Sequence, residues 1–355
     1  MKSFVKNILD IKISRGDNYL LYDETGKGYL DFTAGIFAAN IGHCNPYVTE
    51  AIKRQAGELI HSYTYQTEIR EKYLDRLCKF TGYEAAALFS AGTEATEAAW
   101  KVMRIFTGKP AIYGLPAAFH GKTFGAQIMS GKMADHRYAQ PLPHTCGLIM
   151  EPYEALFAKL HHDQVIKRWH GLHEVGPWML LCIDEIQAGF GRTGKLFGYE
   201  HYPTLEPDLV CVGKGLGNGF PVSALLGSKK LVNEKIYDLS STHGGNPLAC
   251  AVGLAVLEYY EDHNTIEEAE RKGKLFQELL KKLPCQTSGV GMVGALVLGG
   301  DDSDRFIKAA ADMGLLVVHT GGSTVKLGPP LTITDEALTT GFELITEVLG
   351  NDFQD

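Results

Sequence analysis

No stretch of this chain is apolar for long enough to cross a bilayer, and none of its seven cysteines forms a CxxC pair. Positive charge is in short supply too. Thirty-four Lys and Arg stand against 42 Asp and Glu, a formal net charge of -8. That balance removes any general electrostatic reason to bind nucleic acid or an anionic membrane. The opening residues "MKSFVKNILDIKIS" have neither the apolar core nor the cleavage site of a signal peptide. Cys182 and Cys211 sit inside apolar runs, where cysteine behaves as a small hydrophobe. Reduced thiols, a cytoplasmic chain and no metal are expected. A Walker P-loop, GxxxxGK followed by Ser or Thr, is absent, as are repeats, low-complexity tracts and long linkers.

What is present is a chain of 355 residues, enough for a large core and more than one domain. Residues 19 to 32, "YLLYDETGKGYLDF", read as two short strands about a turn. "EATEAAWKVMRIFTG" has apolar side chains at 95, 98, 99, 102, 103 and 106, the spacing of a helix with one buried face, and Gly108 as a stop. "WMLLCIDE" at 178 to 185 and "DLVCVG" at 208 to 213 are apolar on both faces, as in parallel strands covered by helices. "NPLACAVGLAVLEYYEDH" reads as a long, largely buried helix. "TDEALTTGFELITEVLG" reads as a closing helix that stops at Gly350. Helices alternating with apolar strands predict an α/β sheet domain, with ligands at the carboxyl ends of the strands.

Two of those ends carry chemistry. Asp184 closes one apolar run, and Lys214 follows another inside "GKGLGNGFP". Parallel strands would bring both to one crevice. An acid and a lysine so placed make either a structural ion pair or a site for a cofactor that needs both. Pyridoxal phosphate is such a cofactor: its aldehyde takes a lysine as a Schiff base, and its pyridine nitrogen needs a carboxylate to stay protonated. The glycines around Lys214 would let the backbone pass close to it. Gly92 and Thr93, in "LFSAGTEATEAAW", stand before a helix N-terminus, where free N–H groups favour a phosphate. Taken alone, that stretch is equally an ordinary glycine turn.

In order along nearly the whole chain stand "YLDFTAGIFAANIGHCNP", "SAGTEATEAAWK", "FHGKTFGA", "IDEIQAGFGRTGKLFGYEH", "PDLVCVGKGLGNGFP", "SSTHGGNPLA" and "VKLGPPLTIT". This ordered set resembles the class III aminotransferases, pyridoxal-phosphate enzymes of fold type I. The resemblance implies a large domain, residues 41–250, with a mostly parallel central sheet flanked by helices. It implies a smaller α+β domain from residues 1–40 and 251–355. It makes Lys214 the Schiff-base lysine and the proton carrier, and Asp184 the partner of the pyridine nitrogen. It sets Gln187 on the ring 3-hydroxyl oxygen, Ile186 and Phe119 on the two ring faces, and Gly92 and Thr93 on the phosphate. Thr242 would reach the phosphate of the neighbouring subunit, so a homodimer is implied. His43 and His120 match family positions, but each reads equally as a structural histidine and stays outside the catalytic set.

The implied reaction moves an amino group from an amine to a carbonyl acceptor in two half-reactions. Lyase, racemase or aminomutase chemistry on the same fold is the alternative. A nucleotide-dependent oxidoreductase built on the glycines at 213 to 219, and a non-catalytic protein keeping the fold, are more distant ones. Three departures bear on substrate. Lys122 and Lys326 stand where the family usually has carboxylate-binding arginines, and Leu156 stands where it has the glutamate that pairs with the second of them. Either Lys122 and Lys326 are surface lysines and a carboxylate is bound elsewhere, or the departures at 122, 156 and 326 mark a substrate pair other than an ornithine-type amino acid plus glutamate, with the two lysines as substrate contacts that offer a point charge where arginine offers a fork.

Overall fold

The computed structural model describes residues 9–115, 118–131, 143–320 and 322–352. Most of the N-terminal stretch read for a signal peptide lies outside them. Six strands make the central sheet: β1 Ala85–Phe89, β2 Ala111–Gly114, β3 Thr145–Met150, β4 Leu180–Asp184, β5 Leu209–Val212 and β6 Ser223–Gly227. Their order across the sheet is β1-β6-β5-β4-β3-β2. β2 pairs parallel with β3, β3 with β4 and β4 with β5, while β6 runs antiparallel to both β5 and β1.

β4 and β5 are buried at every position, and their side chains divide between two helical layers. Leu181, Ile183, Val210 and Val212 join one cluster with Tyr73, Leu77, Val252 and Val256. Leu180, Cys182, Leu209 and Cys211 join another with Ala95, Ala99, Val102 and Met103. This two-sided covering is why both strands read as unbroken apolar runs. Each Leu, Ile or Val so buried contributes about 1.5–3 kcal/mol.

The helix expected after "FSAG" spans Gly92–Thr107 and ends on Gly108 at φ 69, a left-handed cap. Phe106 departs from the expected buried face. It is 38% exposed and lies under the Lys230 ammonium. The long helix Pro247–Asp262 is capped by Asn246, whose side chain accepts from the Ala249 N–H. The closing helix runs Asp335–Asp352, so Gly350 does not stop it. A glycine ends a helix by going left-handed, and inside one it costs only about 1 kcal/mol.

There are two further four-stranded sheets, one of which joins the chain's beginning to its end. Leu20–Asp23 and Gly28–Asp31 form the expected antiparallel pair, and Gly28–Asp31 also pairs in parallel with Leu315–Leu316. The other sheet is ordered Gln286–Val290, Val293–Val297, Thr324–Leu327, Val318–His319. The division into 41–250 against 1–40 with 251–355 stays our proposal. All seven cysteines are free thiols.

Candidate active site

The β4–β5 register pairs Asp184 with Cys211, so the Asp184 strand end sits beside the end of β5 at Val212. Two residues later Lys214 opens a short 3-10 turn, Lys214–Leu216, with φ +44. A left-handed lysine costs on the order of 1–3 kcal/mol and is held only where its surroundings demand it. The loop's glycines do something other than expected. A Cβ on Gly215 would strike the Asn40 side chain, and one on Gly217 would strike the Phe220 carbonyl. They fold the loop onto itself. Of the loop's glycines only Gly219, at φ +94, lines the cavity beside Lys214. The loop then enters antiparallel β6 and opens no helix, which removes the dinucleotide-binding alternative.

A cavity of about 290 Å³ gathers Gly92, Thr93, Phe119, Asp184, Ile186, Gln187 and Lys214 from four separate stretches of chain. Gly92 and Thr93 form the first turn of their helix rather than preceding it. Their N–H groups make no hydrogen bond among the described residues. Glu94 ties the two N–H groups before them, at Ser90 and Ala91. A Cβ on Gly92 would come within 2.7 Å of Ile186 Cδ1, so only glycine lets that side chain lean over the helix end. Thr242 and Lys122 are exposed and lie outside the cavity lining. Lys326 is no surface lysine: it is 3% exposed, behind Gln187.

Asp184 is itself 3% exposed, and its Oδ2 accepts from His120 Nδ1 at 2.7 Å. Its Oδ1 accepts from the Ile186 N–H at 3.1 Å. His120 therefore belongs to the site, although the sequence alone left it open. Its Nε2 is buried without a hydrogen-bond partner among the described residues. His43 lies elsewhere, 2.7 Å from Asp31. Glu151 is a residue sequence reasoning missed. It lines the cavity and accepts from the Phe119 N–H at 2.9 Å. Burial pushes its carboxyl up to about 7, with the Asp184 charge adding to the rise and His120 opposing it. Burial lowers the Lys214 amine below the usual lysine value, against the pull of Asp184 and Glu151. Tyr153 was also missed; its hydroxyl donates to Gln187 Oε1. Both residues begin "EPYEALFA", a stretch read only for its Leu156.

These features fit pyridoxal phosphate. There is a helix end with unused N–H groups, a buried carboxylate on the same cavity as an amine whose charged form burial disfavours, and an aromatic and a branched side chain on the walls.

The comparisons agree. The family model described as class III aminotransferase matches residues 1–175 and 143–349. The acetylornithine aminotransferase of Archaeoglobus fulgidus is 33% identical over 94% of this chain and 94% of its own length. That of Bacillus subtilis is 34% identical over 93% and 92%. Among solved structures, the ornithine aminotransferase of Toxoplasma gondii ME49 superposes with a TM-score of 0.86 at 26% identity, covering 96% of this chain and 90% of that one. The acetylornithine aminotransferase of Elizabethkingia anophelis gives 0.81 at 26% identity, covering 98% and 95%. None of these is a lyase, racemase or aminomutase. With motifs, sheet, cavity and relatives in agreement, the chain belongs to the class III aminotransferases, pyridoxal-phosphate-dependent enzymes of fold type I.

Proposed function

We propose that this aminotransferase works from the cavity at the ends of β4 and β5, with Lys214 carrying the cofactor and moving the proton. The observation that supports this most is the meeting of Asp184 and Lys214 on one 290 Å³ cavity. When bound, pyridoxal phosphate supplies an electron sink for the pair left when the substrate Cα–H breaks. Asp184 holds the proton of the pyridine nitrogen, and His120 Nδ1 fixes the carboxylate that does so. Gly92 and Thr93 donate N–H groups to the phosphate. Phe119 and Ile186 close on the two ring faces and keep water out. Gln187 faces the ring 3-hydroxyl oxygen. Lys214 Nζ, whose charged form burial disfavours, would be the base that takes the Cα proton and returns it one position along.

The assembly we infer is a homodimer with shared sites. Thr242 is exposed, outside the cavity of its own protomer. A broad groove of about 1100 Å³ beside it is lined by Thr93, Phe124 and Ser241, with Phe124 69% exposed. A second copy seated there would carry Thr242 to the neighbouring phosphate. Mixing Lys214→Ala with Thr242→Ala protein should then raise activity above either parent, toward roughly a quarter of the wild-type sites, since half the dimers are hybrid and each has one intact site. No rise, once subunit exchange is demonstrated, means that each site is built from one chain. We also read the protein as cytoplasmic; among the described residues no helix is long and apolar enough to cross a membrane.

The substrates are a small amine and a carbonyl compound, and we infer that glutamate is a poor donor. No arginine lines the cavity among the described residues. Arg192 is fully buried and spent on the Met292 and Pro329 carbonyls and Asn40. Among the described residues this cavity therefore has no bidentate fork for an α-carboxylate. In single-turnover absorbance measurements on the holoenzyme, glutamate should react at least ~10-fold more slowly than the best amine without an α-carboxylate, a gap of about 1.4 kcal/mol. Equal rates would remove this reading of positions 122, 156 and 326.

A further inference from the structure

Gln187 is held by two donors at one atom. Lys326 Nζ donates to Gln187 Oε1 at 2.6 Å, and the Tyr153 hydroxyl donates to the same oxygen at 2.7 Å. An amide oxygen has two lone pairs, and both are taken. While Lys326 is protonated it has no lone pair to offer, so in that form turning the amide round would set N–H against N–H. The Nε2 end has no partner among the described residues, and Gln187 lines the cofactor cavity.

The two donors are fixed in turn. Tyr153 is 1% and Lys326 3% exposed, and neither lines that cavity. Lys326 sits on a strand with neighbours on both sides, opposite Ala295 and Val318. Its ammonium lies 4.8 Å from the Phe37 ring centroid and 5.6 Å from that of Tyr153. An ammonium taken out of water needs the contacts it makes, so the Gln187 hydrogen bond is not free to swing to an incoming acid.

We propose that Lys326 is a positioning residue rather than a carboxylate receptor: with Tyr153 it locks the Gln187 amide so that Nε2 faces the cofactor cavity as a hydrogen-bond donor. This rests on the reading that the cofactor ring lies against Gln187. A donor at the ring oxygen favours its deprotonated form. The role belongs to this chain's own pair, a lysine at 326 and a tyrosine at 153, acting on one glutamine.

The test uses the holoenzyme without substrate. Visible absorbance is titrated against pH for wild type, Lys326→Met, Tyr153→Phe, Gln187→Ala and the Lys326→Met/Gln187→Ala double variant. Burial brings Lys326 itself down to about 7, and Glu151, Lys214 and Arg192 act on it, so loss of its charge alone would move the titration. The other variants separate the two effects. Positioning predicts that Lys326→Met and Tyr153→Phe, which removes no charge, both shift the midpoint upward by at least ~0.5 pH unit. It also predicts that Lys326→Met adds nothing once Gln187 is alanine. Cofactor affinity should fall several-fold in both single variants, and kcat should fall alike for amines with and without a carboxylate. A Lys326→Met shift that persists in full on the Gln187→Ala background overturns the proposal, as does a change confined to KM for acidic substrates. Borohydride reduction of wild type is run alongside: labelling away from Lys214 overturns both this proposal and the reading beneath it, whereas labelling at Lys214 leaves the titrations to decide this one alone.

Discussion

Lys214→Ala is expected to lose the covalent cofactor adduct after borohydride treatment and to retain less than ~0.1% of turnover. Two contributions vanish together. On the proposed roles, the amine that would anchor the cofactor is gone, and so is the base that would carry the proton between substrate carbon and cofactor. Positioned proton transfer alone is worth about 100- to 10,000-fold, so a loss of ~1,000-fold, about 4 kcal/mol, is a modest expectation. Folding should survive. The change removes an amine whose burial already disfavours its charged form, and the alanine inherits a left-handed backbone held by the loop around it. Peptide mapping of the reduced wild type is the check. A label on any lysine other than Lys214 would sink the assignment.

Asp184→Asn is expected to cost at least ~100-fold in rate, roughly 2.7 kcal/mol of transition-state stabilisation. The substitution keeps the shape but only one of the two oxygens, which now accept separately from His120 Nδ1 and from the Ile186 N–H. It removes the negative charge that keeps the pyridine nitrogen protonated. Removing it leaves the pull on the electron pair weak at the moment that pair forms. Near-normal turnover in Asp184→Asn, with the cofactor bound, would overturn this role.

Both residues were legible before any coordinates because parallel strands covered on two faces announce themselves as unbroken apolar runs, and ligands collect where such runs end. The helix end with unused N–H groups was legible for a similar reason, although Gly92 and Thr93 open that helix rather than precede it. What stayed hidden depends on residues far apart in the chain. His120 meets Asp184 across 64 positions, and Lys326 meets Gln187 across 139. Nothing in "FHGK" or "VKLG" encodes those meetings; they follow from how the sheets stack. The loop glycines misled because glycine signals tight backbone without saying against what. At 215 and 217 the neighbours are Asn40 and Phe220, not a ligand. Phe106 fits the helical period yet lies on the margin of the buried face, where an ammonium rather than the core covers it.

Lys326 and Gln187 hang from different sheets. The lysine stands in the four-stranded sheet built by the end of the chain, and the glutamine follows the last residue of β4. Their 2.6 Å bond is thus a fastener between two bodies. A slide of about 1 Å between the sheets takes such a bond past useful length, while each sheet stays internally unchanged. A displacement of one sheet against the other would thus be felt at Gln187 through its contact with Lys326, with the Tyr153 hydroxyl left as the second donor on the same oxygen.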